Sequence, residues 1–135
     1  MNTINPEIDQ TKVTVLIVDD IPLNVMLIEK MLGQYQFRKL SANSGEAALD
    51  IVSKEHPDLI LLDLMMPGID GYEVISRLRA DDKSKDTPII VLSALNSNDD
   101  IQKAMRLGAN EFITKPVVMD KLLSHVSAYI NKITK

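Results

Sequence analysis

VTVLIVDD, at residues 13–20, is a continuous apolar run that stops abruptly at two aspartates. Three later stretches repeat this arrangement, namely DLILLD at 58–63, IIVLS at 89–93 and FITK at 112–115. Apolar runs of this length without polar alternation are typical of parallel strands that are covered on both faces. Because the carboxyl ends of parallel strands share one edge of a sheet, the polar residues that end these runs are predicted to meet there.

Strand-like runs lie at 13–18, 37–42, 58–62, 88–92 and 110–113. Between them, apolar residues spaced three and four apart predict helices that pack on a sheet. Five strands alternating with five helices predict an α/β fold with a doubly wound, five-stranded parallel sheet, because crossover connections are right-handed in nearly all cases. The flavodoxin-like order 2-1-3-4-5 is expected for this count. The second run has few apolar residues, which favours an edge position.

The helix boundaries carry local signals of their own. Pro22 fits a first helical turn, and Ser44 and Asp70 are predicted to be N-caps. Gly33 and Gly108 are predicted to end helices in the left-handed conformation. These signals agree with the strand positions and support the same alternation.

The chain has 135 residues, of which 45% are hydrophobic, so we expect one domain. Residues 13–133 are predicted to form that domain, and the polar residues 1–12 a flexible N-terminal segment. No output domain is expected within these residues. The charged run RADDKSKD at 79–86 predicts a solvated loop.

Composition excludes several classes of function. A net charge of -4 argues against nucleic acid or an anionic membrane surface as the main partner, because those ligands require a basic patch. The absence of cysteine excludes disulfides, thiolate zinc sites and thiol catalysis. No apolar run approaches the ~18 residues of a membrane span, so a cytoplasmic protein is expected.

Asp19, Asp20 and Asp63 form the candidate metal site. Two adjacent aspartates after a strand are more often a helix cap and a solvated acid than metal ligands. Asp63 changes this balance, because a third carboxylate at the same edge would repel the other two unless a cation were bound. Mg²⁺ binds through one or two carboxylates and keeps several waters.

Asp63 is the candidate nucleophile, because it ends a more central run and has no acid beside it in the sequence. It would accept a phosphoryl group as an aspartyl phosphate. Ser93 and Lys115 end two further strands and are placed to contact the phosphoryl oxygens. Each of them alone would be a turn residue or a surface charge, so only their joint position at strand ends is specific.

Four motifs in order resemble the receiver domain of two-component response regulators: VLIVDD at 15–20, LILLDLMMPGIDGYE at 59–73, VLSA at 91–94 and FITKP at 112–116. The resemblance covers residues 13–133. It implies that Asp19 and Asp20 hold Mg²⁺, or Mn²⁺, together with Asp63 and the backbone carbonyl of Met65. It further implies that Asp63 is phosphorylated by the phosphohistidine of a sensor histidine kinase or a phosphotransfer protein.

The same resemblance implies a switch and an output. Ser93 and Lys115 contact the phosphoryl group, and the Lys115–Pro116 bond is cis, as proline permits. Ser93 and Phe112 act as the switch pair, and a downstream protein is contacted through helix 4, strand 5 and helix 5. The domain would catalyse only its own phosphorylation and autodephosphorylation. Many receivers have tyrosine in place of Phe112, and Met65 is expected to slow autodephosphorylation.

Three other functions use related features. A haloacid-dehalogenase-like phosphatase shares the nucleophile, metal, hydroxyl and lysine, but has a second acid two residues after the nucleophile, where this chain has Met65. A flavodoxin-like cofactor carrier would have a phosphate loop after the first strand, where this chain has DDIPLN. A pseudo-receiver would lack one of the acids or the lysine, and this chain retains all of them.

Overall fold

The structure is a computed structural model, and it describes residues 2–133. The strands are β1 (Thr14–Val18), β2 (Arg38–Ala42), β3 (Leu59–Leu62), β4 (Ile89–Ser93) and β5 (Glu111–Thr114). The α-helices are α1 (Pro22–Met31), α2 (Gly45–Glu55), α3 (Gly71–Ala80), α4 (Asn98–Leu107) and α5 (Met119–Ile130). Strands and helices therefore alternate along the described chain as predicted.

The five strands form one parallel sheet in the order β2-β1-β3-β4-β5. This order confirms the predicted flavodoxin-like topology and the edge position of the second strand. Val18 pairs with Leu62 across β1 and β3, so these two strands end at the same level. Asp19 and Asp63, the next residues along each strand, therefore leave the sheet side by side.

Burial on both faces explains why the central strands have no polar alternation. Every residue of β1, β3 and β4 is buried. Ile17 and Leu61 belong to the core that packs under α1 and α5, whereas Leu16 and Ile60 belong to the core under α2, α3 and α4. Truncating one such leucine to alanine costs about 2–5 kcal/mol, so the sheet is a firm support for groups at its edge.

Most predicted helix boundaries are present. The Ser44 hydroxyl accepts a hydrogen bond from the Ala47 N–H at 3.1 Å, and the Asp70 carboxylate accepts one from the Glu73 N–H at 3.0 Å. Pro22 occupies the first turn of α1. Gly108 ends α4 with a φ of 118°, in the left-handed region.

The prediction for Gly33 is wrong. Helix α1 ends at Met31, and the φ of Gly33 is not in the left-handed region. The left-handed residue that the sequence did not predict is His56, which ends α2 with a φ of 48°. Its N–H donates to the Val52 carbonyl at 3.1 Å, so the closing hydrogen bond offsets the strain of a side chain in this conformation.

The run at 79–86 is mostly exposed, as predicted, but Arg79 and Ser84 are bonded to the domain. Arg79 belongs to the last turn of α3, and its guanidinium donates to the carbonyls of Ser84, Thr87 and Gly108 at 3.2, 2.7 and 2.9 Å. Ser84 is buried, and its hydroxyl donates to the Leu78 carbonyl at 2.7 Å. One arginine thus links the loop to the carbonyls of Thr87 and Gly108, while the Ser84 carbonyl also accepts the Thr87 N–H at 3.1 Å.

The segment before β1 is packed on the domain, in contrast to the flexible segment predicted for residues 1–12. Ile4 and Ile8 are buried in the core under α1 and α5, and a 3₁₀ turn at Gln10–Lys12 leads into β1. Met1 lies outside the described residues. Two isoleucines anchor a segment whose sequence is otherwise polar.

Within residues 2–133, no helix has both the length and the apolar character needed to cross a membrane.

Candidate functional site

Three carboxylates meet at the carboxyl edge of the sheet, as the strand ends predicted. Asp19 and Asp20 follow β1, and Asp63 follows β3. One carboxylate oxygen of each lies within 4.8 Å of the others. Asp19 and Asp63 are buried, and Asp20 is partly buried. The arrangement depends on the level ends of β1 and β3, so it is a product of the strand register.

Asp19 is the most fully bonded of the three acids. Its carboxylate accepts hydrogen bonds from the Ile21 N–H at 2.9 Å and the Asn24 side-chain amide at 3.1 Å. It also pairs with the Lys115 ammonium at 3.0 Å. Sequence reasoning missed Asn24, although its position in the first turn of α1 places it on the side of Asp19. These bonds fix the orientation of the carboxylate toward the middle of the site.

Lys115 brings the positive charge of the site from the end of β5. Its ammonium lies 3.0 Å from an oxygen of Asp19 and 3.9 Å from an oxygen of Asp63. The Lys115–Pro116 peptide bond is cis. The Lys115 N–H donates to the Ser93 carbonyl at 2.8 Å, so β4 and β5 are still joined where they leave the sheet. Lys115 therefore contacts one acid closely while it stays within reach of a second.

Burial dominates the electrostatics of Asp63. Removal from water raises the pKa of this carboxyl, and the negative charges of Asp19 and Asp20 act in the same direction. The Lys115 ammonium and a hydrogen bond from the Met65 N–H lower the pKa in opposition. That bond is long, at 3.4 Å. The pKa of Asp63 therefore lies above that of a free aspartic acid, and a cation bound beside it would shift the pKa in the opposite direction.

Asp20 has a carboxylate oxygen that is available to a bound cation. Its Oδ1 is buried and has no hydrogen-bond partner among the described residues. Three carboxylates and one ammonium also leave two negative charges uncompensated in this cluster. A hard divalent cation such as Mg²⁺ or Mn²⁺ takes oxygen ligands, so the cluster could hold one. The donor set fits the predicted metal.

The contacts of Ser93 and Phe112 in this structure are made with residues other than the three acids. Ser93 is fully buried at the end of β4, and its hydroxyl accepts a hydrogen bond from the Leu95 N–H at 3.2 Å. Phe112 is partly buried and packs against the core under α2, α3 and α4, so it lies on the sheet face opposite α1 and α5. The structure thus groups Asp19, Asp20, Asp63 and Lys115, while Ser93 bonds within its own loop.

Gly71 is a second residue that sequence reasoning missed. A Cβ atom at this position would lie 2.5 Å from the Asp63 carbonyl oxygen and 2.7 Å from the Leu64 Cα, closer than real contacts allow. The Gly71 N–H also donates to the Leu64 carbonyl at 2.9 Å. Glycine is required because α3 starts directly against the backbone that carries Asp63. The signal was the DG pair in the stretch GIDGYE.

Comparison with known proteins relates this arrangement to one family. The family model of the response regulator receiver domain matches residues 15–127. The chain is 38% identical over 128 residues to a probable cyclic di-GMP phosphodiesterase of Vibrio cholerae, covering 94% of this chain and 29% of that protein. It is 38% identical over 103 residues to the response regulator PleD of Caulobacter vibrioides, covering 76% and 23%. The chain therefore spans less than a third of either relative.

A solved structure gives the same result for the fold. The signal receiver domain of a signal transduction histidine kinase from Syntrophus aciditrophicus superimposes with a TM-score of 0.82 at 31% identity. The match covers 90% of this chain and 94% of that one. The shared part includes the sheet whose edge carries the acids.

Proposed function

This chain belongs to the family of response regulator receiver domains, and we propose that it is the phosphoryl-accepting switch of a two-component phosphorelay. Asp63 receives a phosphoryl group from the phosphohistidine of a sensor histidine kinase or phosphotransfer protein, with Mg²⁺ bound. The observation that carries this proposal is the cluster of three carboxylates and one ammonium at neighbouring strand ends. A receiver is a signalling domain, and we propose that its only catalysis is its own phosphorylation and dephosphorylation.

The proposed reaction is an in-line displacement at phosphorus. A carboxylate oxygen of Asp63 forms the new P–O bond while the P–N bond of the phosphohistidine breaks, and its electron pair stays on the departing imidazole. Lys115, already 3.9 Å from Asp63, would pair with an oxygen of the incoming group. The Ser93 hydroxyl, whose oxygen now accepts a hydrogen bond from the Leu95 N–H, would donate a hydrogen bond to another phosphoryl oxygen.

Asp19, Asp20, Asp63 and the Met65 carbonyl would hold the cation. When bound, Mg²⁺ supplies compensation for the charge on the phosphoryl oxygens. Support for this ligand set comes from the unpaired Oδ1 of Asp20 and from the excess negative charge of the cluster. Added positive charge also favours the ionised form of Asp63, which is the form that attacks.

A protein donor is supported by the surface around the mouth of the site. Ile21, Met65 and Val118 expose 48%, 56% and 62% of their surface. Each lies within three residues of a charged site residue, so a bulky donor that reaches Asp63 would contact them. Because exposed apolar side chains favour contact with another protein, this rim suits a kinase or phosphotransfer domain. We propose that this phosphoryl transfer takes place in the cytoplasm. We propose neither nucleic acid nor a membrane as a partner of the domain.

The output would use the face formed by α4, β5 and α5. Ser93 ends β4 just before the loop that leads to α4, and its carbonyl accepts the Lys115 N–H at the end of β5. A movement of Ser93 toward the phosphoryl group would therefore displace both the loop before α4 and the end of β5. Phe112 is only partly buried on β5, and its ring could turn inward as Ser93 moves. The change would alter binding of a downstream protein.

The proposal is tested by incubation with acetyl phosphate and Mg²⁺, followed by intact-protein mass spectrometry. The wild-type chain should gain one phosphoryl group, whereas Asp63→Asn should gain none. Asp50→Asn is a matched control, because Asp50 is an exposed acid of α2 that pairs with Lys54. Phosphorylation of Asp63→Asn, or equal phosphorylation with and without Mg²⁺, would overturn the assignment. Calorimetry should show that Asp20→Asn weakens Mg²⁺ binding, a readout independent of phosphorylation.

A further inference from the structure

The first residues of the chain bind the domain in the manner of a peptide ligand. The family match begins at residue 15, so the segment 2–9 precedes the residues that the family model matches. Ile4 and Ile8 are nevertheless 9% and 8% exposed, as buried as core residues. Between them the chain turns, with the Ile8 N–H bonded to the Asn5 carbonyl at 2.9 Å. Both isoleucines therefore point into the domain from one compact segment.

The groove that receives them has two sides. One side is the connection between α1 and β2, where the rings of Tyr35 and Phe37 stack with centroids 4.8 Å apart. The other side is the last turn of α5, with Ile130 at its end. All of these residues belong to one apolar cluster with Ile4 and Ile8. The groove thus joins two elements that are far apart in the sequence.

Side chains of the groove also bind the backbone of the segment. The Asn131 amide, at the end of α5, accepts a hydrogen bond from the Asn5 N–H at 2.7 Å and donates one to the Thr3 carbonyl at 3.0 Å. The Tyr35 hydroxyl donates to the Asn2 carbonyl. Backbone hydrogen bonds with apolar anchors between them are how proteins commonly recognise peptides.

We propose that residues 2–9 are an intramolecular peptide ligand, a clasp that holds the carboxyl end of α5 against the α1–β2 connection. The groove selects a segment with isoleucines four residues apart and a free carbonyl and N–H for Asn131. The clasp lies outside the acidic cluster, so it is separable from phosphorylation. Because α5 forms part of the proposed output face, the clasp sets how firmly one side of that face is held.

The first test removes the segment and returns it in solution. A variant without residues 1–9 should exchange the amide hydrogens of residues 126–131 faster than the full chain. A synthetic peptide of residues 1–9 should restore slow exchange, whereas the same peptide with Ile4→Ser and Ile8→Ser should not. Phosphorylation by acetyl phosphate should be unchanged. Equal exchange with and without the segment, or equal rescue by both peptides, would overturn the proposal.

A second test keeps the chain intact, in case the shortened variant does not fold. Asn131→Ala removes both backbone contacts, and it should speed exchange at residues 3–8 and at the end of α5 together, by roughly 5-fold. Lys121→Ala is the matched control, because it changes an exposed residue at the other end of α5. No change in Asn131→Ala, or a change confined to one of the two regions, would show that the clasp does not couple them.

Discussion

At the amino edge of the sheet, the Arg79 guanidinium donates four hydrogen bonds, to three carbonyls and to the side-chain oxygen of Asn110. At the carboxyl edge, Asp20 Oδ1 has no hydrogen-bond partner among the described residues, and Lys115 pairs with the other two acids, Asp19 and Asp63. Arg79 and Asp20 are both partly buried, at opposite edges of the same sheet. The hydrogen-bonded guanidinium at one edge stabilises the loops, whereas the unpaired carboxylate oxygen at the other edge is available to a ligand.

Lys115→Met is expected to have the largest effect on the unpaired edge. Removing one preorganised positive group from a phosphoryl-transfer site typically lowers the rate by about 10²–10³-fold. Phosphorylation from acetyl phosphate, followed by mass spectrometry over time, measures this. Lys121→Met, an exposed lysine six residues later, should leave the rate unchanged. A rate within a few-fold of wild type would remove Lys115 from the mechanism.

Arg79→Met tests the paired edge and should act on stability alone. The carbonyls of Thr87 and Gly108 lose the donor that Arg79 supplies, so we expect a loss of about 2–3 kcal/mol in the free energy of unfolding. Urea denaturation measures the loss. Arg77→Met is the control two residues earlier on the same helix, where an exposed pair with Glu73 is worth only about 0.5 kcal/mol. If both variants had the same free energy of unfolding, the Arg79 guanidinium would not stabilise the loops at the amino edge of the sheet.

Asp20→Asn should make the protein more stable in the absence of divalent cations. The neutral amide removes repulsion and a buried unpaired charge, so we expect a gain of about 1 kcal/mol. Added Mg²⁺ should stabilise the wild type and should stabilise the variant much less, because a ligand is gone. Thermal unfolding with Mg²⁺ and with a chelator measures both. A variant that is less stable than wild type without Mg²⁺ would contradict the comparison between the two edges.

Met65→Asn should produce the smallest change, in the lifetime of the phosphorylated state. Met65 is 56% exposed beside Asp63, and an apolar side chain there offers no hydrogen bond to an attacking water. One polar side chain in its place is expected to shorten the lifetime by about 5-fold. Loss of the phosphoryl group after removal of acetyl phosphate measures it. An unchanged lifetime would show that the side chain at position 65 does not control the attack of water on the phosphorylated aspartate.

The sequence predicted the paired strands and the acidic cluster for one reason. Buried parallel strands leave a continuous apolar signature, and their ends meet by topology, so Asp19, Asp63 and Lys115 could be placed together before any coordinates. The topology and the family are confirmed. The roles of these residues in phosphorylation stay predictions.

Features that depend on partners from several loops escaped prediction. A charged residue such as Arg79 looks solvated unless the carbonyls that surround it are known, and those come from loops near 84, 87 and 108. Ile4 and Ile8 are two apolar residues in a polar segment, and only the groove shows why they are buried. His56 in a left-handed helix end has no reliable sequence signal, because glycine is the usual residue there.

The ion pair between Lys115 and Asp19 joins residues 96 positions apart. During synthesis, the ribosome makes both β1 and β3 well before it makes β5. A growing chain thus carries all three acids of the cluster while it still lacks Lys115. Because Lys115 is added with the last strand, the three carboxylates are synthesised before the ammonium that pairs with Asp19 and Asp63 in the folded domain. The charged cluster at the carboxyl edge can therefore form only after all five strands have been made.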